Sequence, residues 1–176
     1  MLAYLKPNLI KKLQILLVLS CFSCFGAKQD LTALKNGELE TPSGETLKTR
    51  LAVSIEAQTQ GLSGIQEADF GDHEAMLFYY SSRGIRQFWM PDTYFNLDLF
   101  FLDETLTIID IERNLAAHPG MQEPPNIARS RIVMAHHVLE LKAASPIARK
   151  LKIGDQLKWK SQPSLDERGS KIRLLK

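Results

Sequence analysis

RQFWMPDTYFNLDLFFLDE, residues 86–104, gathers six aromatic residues and three aspartates around a Trp-Met-Pro step. Successive side chains of a strand face opposite sides. In LDLFFLD, Leu97, Leu99 and Phe101 therefore share one face, and Asp98, Phe100 and Leu102 share the other. The segment reads as a core strand in which Asp98 stands among apolar neighbours. LTIIDIER at 106–113 is a second apolar run, separated from the first by the short DET turn, so the two pair as a hairpin. Upstream, IRQFWM reads as a strand ended by Pro91. PDTYFN is then an irregular turn that presents Asp92, Tyr94 and Asn96 at a pocket mouth.

The same pattern extends in both directions. Leu47, Thr49, Leu51, Val53 and Ile55 alternate through TLKTRLAVSIEA, as in a strand with one buried face. TPSGE at 41–45 is a turn, so this strand forms a hairpin with ELE before it. QTQGLSGIQEADFGDHE breaks the alternation and reads as a short helix and loop. AMLFYY (75–80) and HHVLELKA (136–143) are further strands. SPIARKLK has Ser145 as N-cap and Pro146 at the first helical position, the signature of a short helix. IGDQLKWK turns at Gly154-Asp155 into a last strand. NLAAHPGMQEPPNIARSRI, 114–132, is the one long irregular connection and holds three prolines. Closely spaced strands with one or two short helices predict a mainly β (α+β) domain, a small antiparallel β-barrel or sandwich.

The N-terminus carries a different signal. Lys6, Lys11 and Lys12 precede an apolar run, LQILLVLSCFSCF, which is followed by small residues. That order of charge, apolar and small residues is a secretory signal, and the run is too short for a transmembrane helix of roughly 20 residues. Both cysteines, Cys21 and Cys24, lie in this segment, so no disulfide framework is available to the domain. VLSC at 18–21 resembles a bacterial lipobox and makes Cys21 the candidate lipidation site. The competing reading is cleavage after Ala27 to release a soluble chain. Either way the domain is expected outside the cytoplasmic membrane, periplasmic or held on the membrane's outer side by a lipid anchor. Residues 1–27 are then the signal, 28–44 a polar tether and first hairpin arm, 45–160 the β domain and 161–176 a polar tail. With the three leader lysines gone, 19 of the 22 basic residues remain against 20 acidic ones. A chain this close to neutral has no basic field for nucleic acid.

Gly61-Leu62, Met76-Leu77-Phe78, Phe88-Trp89-Met90, Leu97-Asp98, Leu139-Glu140 and Gly154-Asp155 follow one another in an order that resembles the DUF192 family of small β-rich bacterial and archaeal domains. The resemblance covers roughly residues 45–160. It implies a small β-rich fold in a secreted or envelope setting, and it brings no established catalytic residues. The sequence departs from the family pattern at Pro91-Asp92, where a basic residue and Asn are common, and at Asn96, where Pro is common. The loop at 114–132 also lacks the family pattern.

The leading functional reading is a non-enzymatic module that binds a small ligand, glycan or partner protein. Its candidate site residues are Trp89, Asp92, Tyr94, Asn96 and Asp98. Trp89 and Met90 point opposite ways, so one enters the core and the other lines the opposite face; an exposed Trp near Tyr94 and Phe95 is a stacking platform. Asp98 is either a general acid–base or a carboxylate that fixes a turn through backbone or Arg hydrogen bonds. The alternative function is a hydrolase or metal-handling protein using Asp98, Glu140 and a histidine. Against it, His73, His118, His136 and His137 have no metal-ligand spacing. No G-x-S-x-G or phosphate-cradling glycine loop is present, and no cofactor is expected.

Overall fold

The alternation in TLKTRLA builds β2 (Thr46–Ala52), with Leu47, Thr49 and Leu51 turned into the core. It pairs antiparallel with β1 (Asn36–Glu40), the hairpin that the TPSGE turn implies. The computed structural model describes residues 34–174; the leader with Cys21 and Cys24 lies outside them. The alternation ends sooner than its apolar pattern suggests. The Ser54 side chain accepts the Ala57 N–H at 3.2 Å and starts helix α1 (Ile55–Gln60), leaving Ile55 exposed. After α1 and a 3₁₀ turn at Glu67–Asp69, β3 (Glu74–Phe78) runs parallel to β2. A parallel neighbour needs such a crossover.

The remaining elements are β4 (Gly84–Arg86), β5 (Leu97–Leu102), β6 (Ile108–Leu115), β7 (Val133–Ala135), β8 (His137–Lys142), α2 (Pro146–Lys150), β9 (Lys158–Trp159) and α3 (Leu165–Leu174). Seven strands form one sheet in the order β6-β5-β8-β3-β2-β1-β9, and β4 and β7 form a separate ribbon. The sheet curls until its two edges meet at one end. There Leu157 N–H donates to Leu106 O, and Ile108 N–H to Asp155 O, at 3.1 and 2.9 Å. The fold is therefore mainly β, an α+β half-barrel with short helices. β5 and β6 form the expected hairpin. Ser145 caps α2 as expected, accepting from the Ile147 and Ala148 N–H groups.

IRQFWM differs from its strand reading. Only Gly84–Arg86 is a strand, and it pairs with β7. Beyond it the backbone bonds to the irregular 118–130 segment instead. Phe88 N–H donates to Ser130 Oγ, Met90 N–H to Ala128 O, and Thr93 and His118 exchange both backbone bonds. Pro91 has no N–H to offer a ladder, so two irregular segments satisfy each other, as buried backbone must.

Each face of the sheet has its own core. One face holds Leu39, Leu47, Leu77, Phe100, Leu102, Leu139 and Leu141, covered by α2 and α3 through Ile147, Leu165 and Ile172. The other holds Phe78, Leu97, Leu99, Phe101 and Val138, covered by loops through Leu62, Phe70, Met90 and Phe95. The two-faced reading of LDLFFLD matches this division.

The polar segment from Ser161 contains α3, which docks on the first core through one charged side chain. Arg168 is buried. Its guanidinium donates to the carbonyls of Leu34, Asn36, Gln162 and Pro163, and stacks on Trp159 with 5.2 Å to the ring centroid. Gly37 admits the Trp159 ring, because a Cβ there would come within 2.1 Å of it. Gly169 lets Tyr79 approach α3 closely enough for its hydroxyl to donate to Asp166. Arg168→Met would remove the donor from the buried Leu34 carbonyl and from three partly buried ones. The expected loss is about 3 kcal/mol, seen as a fall in Tm of roughly 6–12 °C. A fall in Tm of under about 2 °C in thermal unfolding would show that α3 is not anchored by this residue.

Candidate functional site

β8 is buried along its whole length, yet three of its six residues are polar or charged: His137, Glu140 and Lys142. Burying a polar group is costly unless it is hydrogen-bonded. His137 meets that demand by accepting the Tyr80 N–H on Nδ1 at 3.2 Å, and its ring stacks on Tyr79. Burial pushes its pKa down to about 4, which keeps the ring neutral. Lys142 donates to Glu67 O at 2.9 Å and lies over the Phe95 ring. Glu140 is different: its Oε2 is buried without a hydrogen-bond partner, the one such side-chain atom among the described residues. Desolvation raises its pKa to about 8.

Glu140 lies between Met76 of β3 and Leu99 of β5 in the register of the sheet. It lines a narrow cavity of about 40 Å³ on the loop-covered face. α1 and the turn after it supply Gln58, Gln60, Gly61 and Ser63; β3 supplies Phe78; the irregular segment supplies Phe88, Trp89, Met90, Pro91 and Thr93. Phe78 and Phe88 meet edge to face at 4.7 Å. The loops beside the cavity turn through left-handed backbone. Gly61, Gly64 and Asp92 all have positive φ, which is uncommon for a residue such as Asp92. Ser63 and Thr93 both donate their hydroxyls to Pro91 O, at 2.7 and 3.2 Å, and hold the rim together.

The five candidate residues fall in different places. Trp89 is 48 % exposed at the rim of the Glu140 cavity, while Met90 is in the core, so the pair divides as the strand geometry anticipates. Arg129 stands over Trp89 from a neighbouring hollow, 5.3 Å from the ring centroid. Asp92 ties loops: its Oδ1 accepts the Gly120 N–H and its carbonyl accepts the Gly64 N–H. Tyr94 and Asn96 line a separate open groove of about 420 Å³ with Asn114, Lys142 and Arg149. That groove is larger, but much of its polar lining is already engaged. Asn96 bonds Asn114 and the Ala117 N–H, and Lys142 is held by Glu67.

Asp98 is 3 % exposed and faces the other core. Arg113 donates to its Oδ2 at 2.5 Å and the Asn114 N–H to its Oδ1 at 2.8 Å. The same Arg113 binds the carbonyls of Ala148 and Leu151. Asp98 therefore fastens β6 and α2 to β5. Strand alternation also puts Asp98 and Glu140 on opposite sides of the sheet, because Asp98 is opposite Leu141 in the register and Leu99 is opposite Glu140. The pair needed for the hydrolase reading does not form. Among the described residues no three of His, Cys, Asp and Glu gather as a metal-binding group.

Sequence reasoning placed Asp98 among the binding candidates and named Glu140 only in the alternative hydrolase or metal-handling reading, although the signal was equally present. An acid between Leu139 and Leu141 in a short apolar strand has the same alternation argument behind it. Gln58 and Ser63 were less accessible to such reasoning, because only the folding of α1 over β8 brings them to the site.

Known proteins place this architecture. No curated protein matches the chain. Two crystal structures share the fold at a TM-score of 0.55. One is a protein from Sinorhizobium meliloti 1021 provisionally described as a transcription regulator, 31 % identical over 70 % of this chain and 92 % of its own. The other is a protein of unknown function from Novosphingobium aromaticivorans DSM 12444, 25 % identical over 70 % of this chain and 84 % of its own. The model of DUF192, described as an uncharacterized ACR, matches residues 38–159, spanning the sheet, the Glu140 cavity and the half-barrel seam, and the chain belongs to that family.

Proposed function

We propose that the domain is a non-enzymatic binding module of the cell envelope that holds a small ligand over Glu140, with Trp89 at the entrance. The observation that carries this reading is the unpartnered Glu140 carboxyl oxygen at the wall of a cavity. A buried strand that served packing alone has no use for an acid there. An apolar side chain of similar size would fill the space without the cost of an unsatisfied group. Aromatic walls around one convergent polar group are the usual makeup of a small-ligand site. The envelope setting is supported by the charge and apolar order of residues 1–27. The transcription-regulator description of the Sinorhizobium protein is not adopted, because the near-neutral domain lacks the basic field that phosphate binding requires.

Glu140 should reveal its role as a stability cost. Its folded-state pKa is raised from the ordinary 4.5 to about 8. Its contribution is thus fully retained below pH 4.5 and lost as pH rises through about 8. His137 acts in the opposite direction. Its pKa is lowered from 6.5 to about 4, so its contribution is present above pH 6.5 and lost as pH falls through about 4. Glu140→Gln removes the first limb and leaves the second. The variant should be more stable than the parent by about 2 kcal/mol at pH 8, with the advantage shrinking towards pH 5. Denaturant melts across that range check this; a pH-independent difference would mean that Glu140 is hydrated or paired in solution.

Binding itself is tested by mapping ¹H–¹⁵N shifts of the full chain against a library of small amines, alcohols, amides and carboxylates. Shifts should cluster on Gln58–Ser63, Phe88–Thr93 and Glu140. Trp89→Ala should abolish them while lowering stability by less than about 1 kcal/mol, since the ring is half exposed. If Trp89→Ala instead costs several kcal/mol, the ring is a packing element and the entrance reading fails.

Export and anchoring have their own test. Intact mass of the protein from its native envelope should show a diacylglyceryl-modified chain beginning at Cys21, and Cys21→Ser should release the domain from the membrane fraction. An unmodified chain beginning at Lys28 would replace the anchor with simple secretion.

A further inference from the structure

We infer that the group held over Glu140 is a small primary ammonium head, which enters as the carboxyl gives up its proton; this rests on the binding reading above and adds the ligand's chemical class. Most hydrogen-bond donors on the buried part of the cavity lining are already engaged within the protein. Ser63 and Thr93 direct their hydroxyl hydrogens to Pro91 O. The Gln58 amide nitrogen is engaged by the carbonyls of Ala52, Val53 and Tyr79. The Gln60 amide nitrogen donates to Ser63 O at 2.7 Å. Backbone donors on the same lining are committed too: Gly61 to Ala57 O, Ser63 to Gln60 O, Met90 to Ala128 O and Thr93 to His118 O.

The buried polar atom left unpartnered is Oε2 of Glu140; the remaining donors of the lining, the Trp89 indole N–H and the Thr59 hydroxyl, belong to exposed residues. A site whose buried end is a carboxyl suits a ligand that brings its own N–H donors. An anion would meet that carboxyl with no basic side chain on the lining.

Charge and shape agree with this assignment. No Lys, Arg or His lines the cavity, and the Arg129 guanidinium at its rim lies over Trp89 from the neighbouring hollow. Phe78 and Phe88 supply ring surface of the kind that attracts ammonium groups. The space of about 40 Å³ admits only a few water-sized groups, on the order of two to four. A methylammonium or ethylammonium head fits, and a quaternary head does not.

The cations beside the site are engaged with other groups: Arg129 with the Trp89 ring, and Arg86 with the Tyr80 ring and the carbonyls of Ser82 and His136. Tyr80, at the end of β3, feels Glu140 electrostatically and is covered by the Arg86 guanidinium at 3.5 Å. Asp92, on the irregular segment, has one carboxylate oxygen on the Gly120 N–H. Burial favours the protonated Glu140 carboxyl when the site is empty. Ammonium entry therefore releases one proton to solvent and leaves a neutral pair.

The test uses the full chain, with methylammonium chloride as probe against sodium chloride at equal ionic strength, and with ethanol and acetate as neutral and anionic controls. At pH 6.5 methylammonium should move the amide resonances of the cavity lining and shift the Glu140 Cδ carbon towards its ionised position. Calorimetry in two buffers of different protonation enthalpy should show proton release. Glu140→Gln, which should remain folded, should weaken methylammonium binding by about tenfold or more. If ethanol or acetate moves the lining and methylammonium does not, the ammonium assignment is overturned and the cavity remains a binding site. Equal methylammonium affinity in Glu140→Gln also overturns the assignment. If no probe moves the lining, both readings fail.

Discussion

Strand β8 has both faces covered and a strand on either side, and the rest of the molecule is arranged around what that position demands. A residue in such a strand has no solvent to turn to, so each polar side chain must find its partner inside the protein. His137 finds the Tyr80 N–H and Lys142 finds Glu67. Glu140, two residues from Lys142 on the same face, finds a cavity instead. The contrast lies within six consecutive residues, so it cannot be put down to a loosely packed region of the domain.

The two faces of the sheet divide the work. The helical face is a scaffold. It carries the seam between Leu106–Ile108 and Asp155–Leu157, the Asp98–Arg113 clamp onto α2, and the Arg168–Trp159 clasp that seats α3. Its charged groups are closed off by direct hydrogen bonds. The loop face is built from irregular segments that satisfy each other's backbone, with positive φ at Gly61, Gly64 and Asp92. Loops carried on a rigid sheet are where binding residues concentrate.

Much of the scaffold was legible in the sequence because it follows from period two. Leu47, Thr49 and Leu51, the β5–β6 hairpin, and the Ser145-Pro146 helix start are local patterns, and the structure realises them. The misreadings arise where a local pattern meets a competing bond. Alternation runs on through Val53 and Ile55, but the Ser54 hydroxyl captures a backbone N–H and begins α1. Phe88 and Trp89 look like strand residues, yet Pro91 and the Ser130 hydroxyl redirect their backbone. The site was less legible for a further reason. Trp89, Tyr94, Asn96 and Asp98 are close in sequence and distribute to the cavity rim, an open groove and the opposite core, because the chain between Arg86 and Leu97 is irregular and only Asp98 lies in a strand. Glu140 and Gln58 are 82 positions apart in the chain and line the same cavity.

The electrostatics of β8 bear on the site's preference. His137 and Glu140 both resist charging, and for the same reason: burial disfavours the ionised form of each. Their neutrality is nevertheless secured differently. His137 already accepts a backbone hydrogen on one ring nitrogen, so its neutral form is complete within the fold. Glu140 gains nothing comparable from its surroundings, and its neutral form still leaves Oε2 unsatisfied. Only a group arriving from outside can both satisfy that oxygen and change which protonation state is favoured. A cation does both at once, since it supplies donors to the carboxylate and offsets the charge that burial resists. A neutral hydrogen-bonding ligand would do only the first, and its affinity would be correspondingly insensitive to the carboxyl's ionisation.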